Sequence, residues 1–120
     1  DIDIIDNANP QTGDVLLTEK FYDNGPSSAL RDWMNDNAAT FGFFEVYTNN
    51  PNRKGFAHEP WHYPYRSLSK SYLEVLTTHA LSEIAEDEQL LGRAFLDNEF
   101  FNAYTSAHIL GINPILFAQE

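Results

Sequence analysis

Apolar residues recurring at three- and four-residue steps mark two stretches of this chain as helical. Leu30, Trp33, Met34 and Asn37 or Ala38 share one stripe of a helix that Ser27 or Ser28 can cap, running to about Thr40 and ending near Gly42. Phe101, Tyr104, Ala107 and His108 repeat that spacing between Asn98 and Leu110, with Asp97 as cap and Gly111 as stop. Between them Ser69 to Thr77 carries Tyr72, Leu73 and Leu76 at core-facing spacing, and a second short helix is expected at Leu81 to Glu86. Strand patterns are shorter: Asp1 to Ile5, Phe43 to Tyr47 and Trp61 to Tyr65. The turn-rich Thr48 to Gly55 segment would join the last two as an antiparallel hairpin. Asp6 to Gly25, rich in Asn, Asp, Gly and Pro, reads as a long loop with an ordered stretch near Val15 to Leu17. The pattern predicts an α+β fold, a small antiparallel sheet flanked by helices, in a single domain over residues 1–120.

The densest chemistry lies from Phe56 to Tyr65, where a carboxylate stands three residues before an imidazole among aromatic side chains. His58-Glu59-Pro60-Trp61-His62 has the letters of the H-E-x-x-H zinc motif, in which two histidines four apart share a helix face. Pro60 and Pro64 exclude that helix, since an interior proline removes a backbone donor and costs about 3 kcal/mol. A bend followed by a short aromatic strand remains, with the motif reduced to E-x-x-H. On a regular strand Glu59 and His62 would point to opposite faces, so the bend at Pro60 must re-aim one toward the other. His58 becomes a flanking residue. The plain alternative is a pair of surface polar groups beside an aromatic core strand.

Glu59-Pro60-Trp61-His62, followed by Tyr63-Pro64-Tyr65, resembles the signature of the D-alanyl-D-alanine carboxypeptidases related to the vancomycin-resistance peptidases. These are zinc enzymes that trim peptidoglycan stem peptides. Asn37 with Ala38 to Phe43 is similar to that family's N-A-x-x-F/Y-G-F segment, and Tyr65 to Ser69 and Ile109 to Pro114 are similar to the connection and closing segment of one branch. Asp1-Ile2-Asp3-Ile4 resembles the end of the family's S-x-H-x-x-G-x-A/D-x-D segment, whose His and final Asp bind zinc.

The resemblance implies Asp3 and His62 as Zn2+ ligands, Glu59 as general base and Trp61 as a substrate contact. The matching His would lie four residues before Asp1, so the chain is expected to be an N-terminally truncated domain and a poor catalyst by itself. Catalytic zinc usually has three protein ligands, and His58 is the in-chain substitute considered. The implied substrate is the D-alanyl-D-alanine end of a peptidoglycan stem peptide, at a cell-envelope location, periplasmic or extracellular. Two alternatives stand beside it: an endopeptidase of the same group, and a non-catalytic cell-wall binding module with an incomplete metal site. The family's carboxylate-binding Arg has no counterpart in this chain; Arg53, Lys54 and Arg66 read as solvated loop residues.

Composition narrows the field. In 120 residues, 42% hydrophobic and 14% aromatic content supports a packed core rather than disorder. A net charge of -11 argues against nucleic acid or an anionic membrane surface as partner. The absence of cysteine excludes disulfides and thiol catalysis, and no apolar run approaches a membrane span of roughly 20 residues. Glu83 to Glu88 reads as a solvated acidic face, and His79 and His108 as histidines without a ligand role.

Overall fold

The computed structural model describes residues 1–118, without the side chains of residues 78–82; His79 therefore lies outside the described side chains. Five elements organise the chain: strand β1 (Ile2–Asp3), helix α1 (Ser28–Asn37), strand β2 (His62–Tyr63), helix α2 (Arg66–Glu86) and helix α3 (Asn98–Tyr104). The architecture is α+β. β1 and β2 pair antiparallel, Ile2 opposite Tyr63 and Asp3 opposite His62.

The expected hairpin between Phe43–Tyr47 and the motif strand forms only as an irregular pairing. Phe43 and Tyr65 make one isolated bridge, and the Phe44 and Val46 amides donate to the carbonyls of Pro64 and His62 at 3.3 and 3.1 Å. Proline explains the irregularity, because Pro64 has no N–H to return to the ladder. β2 is thus flanked by β1 on one side and Phe43–Tyr47 on the other, and the motif strand is the middle of the layer.

α1 is shorter than its apolar stripe suggests. A single 3-10 turn, Ala38–Phe41, follows it, and Gly42 at φ 80° closes that turn by donating to the Ala38 and Ala39 carbonyls. Ser27 occupies the cap position without capping. Its buried hydroxyl instead accepts from the Asp6 amide (3.3 Å) and Gln11 Nε2 (3.0 Å), tying down the long first loop. That loop is ordered at Thr18–Phe21, one turn later than Val15 to Leu17. Met34, Ala38 and Tyr63 form the buried centre, with Ile4, Leu30 and Phe43 packed around it. Trp33 lies on the predicted stripe but is 51% exposed, stacked on Phe41.

The two short helices expected over 69–86 are one helix. Nothing between Arg66 and Glu86 breaks it, since the Thr-rich centre lowers helix propensity but contains neither Gly nor Pro. Asp97 caps α3 as expected, its Oδ1 accepting from the Phe100 amide at 2.8 Å. Helical winding then widens into a π-turn over Thr105–Ile109 and stops before Gly111. The Ala107 carbonyl faces both Gly55 and Gly111 so closely that a Cβ on either would collide with it. Asn113 completes this fastening, its amide donating to the Val46 carbonyl at 2.8 Å and its Nδ2 to the Glu45 carbonyl at 3.0 Å.

Gly111→Ala is expected to force that backbone contact apart and cost about 1–3 kcal/mol, in the range of other overpacking changes. Urea unfolding reads it, and a midpoint equal to that of the unsubstituted chain would show that the contact yields freely.

Candidate active site

Pro60 turns the chain just before β2. The His62 amide reaches back to the Glu59 carbonyl at 3.3 Å, so residues 59–62 close a turn instead of extending the strand. Its consequence is the contact that a regular strand forbids: Glu59 Oε2 lies 3.0 Å from His62 Nδ1. Pro60 itself is fully buried, and the Glu59 amide is held by the Tyr47 carbonyl at 3.1 Å. The carboxylate is therefore fixed from both sides of the bend.

Cross-strand register brings in the first residues. Asp3 is the direct partner of His62, and directly opposed residues of an antiparallel pair present their side chains to the same face. The Ile4 amide donates to the Trp61 carbonyl at 2.9 Å, which makes the next step, Asp3 with His62, a narrow non-hydrogen-bonded pair with Cα atoms about 4.5 Å apart. Asp1 stands two residues before Asp3 and so shares its face. Its Oδ2 lies 3.1 Å from His62 Nε2. The period of two along Asp1-Ile2-Asp3 was the available signal for this second carboxylate. Both ring nitrogens of His62 thus face a carboxylate, and a metal on either nitrogen would require that carboxylate to swing aside or to join the ion.

His58 is fully engaged elsewhere. Its Nδ1 faces two acceptors, the Tyr47 carbonyl at 2.7 Å and Glu45 Oε1 at 3.1 Å, so the proton sits there. Its Nε2 lone pair then takes the Tyr22 hydroxyl at 2.6 Å, and the Arg31 guanidinium lies over the Tyr22 ring at 4.2 Å. No lone pair is left for a metal. The substitute ligand considered from sequence is instead a strut beneath the Glu59 bend.

Burial pushes the Glu45 carboxyl above its ordinary value of 4.5, with His58, Arg31 and Arg53 opposing by smaller amounts. A carboxyl raised in this way stabilises the fold fully below the ordinary value, and that contribution is lost as pH rises through the raised one. Glu45→Gln should therefore show a melting temperature that improves, relative to the unsubstituted chain, between pH 4 and pH 7. Parallel melting profiles across that interval would exclude the desolvation argument.

Trp61 packs against the buried Phe21 ring, centroids 5.5 Å apart. Tyr47 sets its ring edge-on to His62 at 5.4 Å, and burial raises the pKa of its hydroxyl. Neighbouring Tyr63 is more enclosed, its pKa pushed up to about 12 by burial. The sequence offers no signal for Tyr47, because its contact with His62 reaches across the whole connection between them.

Arg53 and Arg66 are not solvated loop cations, whereas Lys54 is exposed in its loop as expected. Arg53 donates to the Thr48 carbonyl at 3.1 Å and the Gly111 carbonyl at 2.9 Å, and Arg66 to the Ile115 and Ala118 carbonyls at 2.7 and 3.0 Å. Each clasps the C-terminal segment, where free carbonyls without strand partners need donors.

Asp3 and His62 are donors of the kind a hydrolytic zinc takes, on one face and beside the Glu59 carboxylate. In number the set falls short. Among the described residues, no three His, Cys, Asp or Glu side chains are grouped to hold a metal ion. No helix among the described residues is long and apolar enough to cross a membrane. A family model described as D-alanyl-D-alanine carboxypeptidase matches residues 1–68, from β1 through β2. No curated protein matches the chain, and no solved structure does.

Proposed function

The chain belongs to the D-alanyl-D-alanine carboxypeptidase family, and on that premise we propose that it carries the base and part of the metal site of a zinc peptidase that releases the terminal D-alanine of peptidoglycan stem peptides at the cell envelope. One observation carries the reading: the Pro60 bend delivers Glu59 to His62 at 3.0 Å, while register sets Asp3 across from the same histidine.

Asp3 and His62 would hold the ion, with a third ligand that the described residues do not provide. A zinc bound there supplies Lewis acidity, making water more acidic and the scissile carbonyl more electrophilic. Glu59 takes the proton of the attacking water and hands it to the departing amine of D-alanine. The hydrogen bond from the Glu59 amide to the Tyr47 carbonyl holds the base of this side chain in place. Trp61, backed by Phe21, offers a rigid indole to the bound peptide.

The test is D-alanine release from a peptide ending in D-alanyl-D-alanine, with zinc content followed by elemental analysis. In a preparation that holds about one zinc per chain, release that depends on zinc and stops with a chelator is expected, with an L-alanyl-L-alanine end left intact. Zinc-loaded protein that cleaves neither end would defeat the proposal.

A further inference from the structure

A cavity of about 550 Å³ opens beside the site. Asp1 and Tyr47 belong to both: the first touches His62 with its carboxylate, the second with its ring edge. The far walls come from α2, from the last residue of α3 and from the segment after it, among them Tyr72, Leu73, Tyr104, His108 and Ile112. All five lie beyond residues 1–68, the stretch that the family model matches. Most of this lining therefore comes from a part of the chain whose role the family match does not address.

Its shape is fixed in advance. Asn113 fastens the far wall to the Phe43–Tyr47 run, the Ala107 carbonyl abuts Gly55, and Tyr104 stacks on His108 at 4.8 Å while Phe56 meets the same ring edge-on at 5.3 Å. The walls are largely aliphatic and aromatic, of the size and character of small-ligand pockets, roughly 300–1,000 Å³. Buried His108 Nδ1 has no hydrogen-bond partner, and Asp1 and Ser69 add polar groups to this lining.

A carboxypeptidase releases the last residue, so on the departing side only the D-alanine methyl needs room. A methyl fills a small part of this space. What extends from the site is the peptide on the amino side of the scissile bond. We propose that the cavity receives the side chain of the residue preceding the D-alanyl-D-alanine end and selects a long aliphatic chain there. This rests on the carboxypeptidase reading and adds to it a specificity pocket made by α2 and the post-α3 segment.

Two peptides test it, acetyl-alanyl-D-alanyl-D-alanine and acetyl-norleucyl-D-alanyl-D-alanine, titrated into the full chain by calorimetry in zinc-containing buffer. Three additional buried methylenes should tighten binding about tenfold to fiftyfold. Ser69 also lines the cavity, so Ser69→Phe should fill it and abolish the norleucine advantage while alanine-peptide affinity persists. Should that variant not fold, nuclear Overhauser contacts from the norleucine methyl to the Tyr72 and Tyr104 rings of the unsubstituted chain decide the matter, and their absence overturns the pocket. Equal affinity for the two peptides also overturns it and leaves the carboxypeptidase reading standing. Binding of neither peptide defeats both.

Discussion

Glu59→Gln is expected to lower D-alanine release by about 10²–10⁴-fold, the span that positioned acid–base groups contribute. The substitution is nearly isosteric, and the amide can still meet His62 Nδ1 at the 3.0 Å that Glu59 Oε2 occupies. It cannot take a proton from water. The loss should therefore fall on kcat, with KM, zinc content and melting temperature close to those of the unsubstituted protein. The comparison belongs in a preparation that shows measurable release. Activity within about threefold of normal would remove Glu59 from the base role, and a loss of zinc with the loss of turnover would move it from base to ligand.

Phe21→Ala should produce the largest change in stability, about 3–5 kcal/mol. Phe21 is completely buried and its ring supports Trp61, so truncation opens a cavity under the motif strand that Pro60 and Pro64 keep too stiff to collapse. Against a typical total of 5–15 kcal/mol, a loss of that size threatens the folded state at 37 °C. Thermal and urea unfolding measure it, with Phe21→Leu as the milder control. A midpoint shift worth less than about 1 kcal/mol would mean that the Trp61 side of the strand relaxes to fill the space.

Several features were legible because their causes are local. Two prolines in five residues exclude a helix wherever they occur, so the Glu59–His62 bend follows from covalent geometry. Asp97 caps α3 with its own carboxylate, and Gly42 takes the positive φ that ends the turn after α1. The strand and helix periods give the α+β class, and the Glu59-Pro60-Trp61-His62 segment gives the family. Where local signals are weak, the fold departs from the pattern. α2 runs unbroken through a Thr-rich stretch that lowers propensity without breaking hydrogen bonds, and Trp33, on the apolar stripe of α1, stacks on Phe41 with half its surface exposed.

The sequence by itself determined the bend, the Asp97 cap and the kinds of donor at the site, because each depends on groups within a few residues of one another. Only the tertiary structure decided which partners those donors have. Asp1 meets His62 across 61 positions, Tyr22 takes the His58 lone pair across 36, and Arg53 and Arg66 are drawn from solvent to carbonyls 58 and 49 residues away. The cavity beside the site likewise joins segments from both ends of the chain. Such pairings are set by how the whole chain buries its apolar surface and satisfies its backbone, and neither condition can be evaluated from a short window of residues.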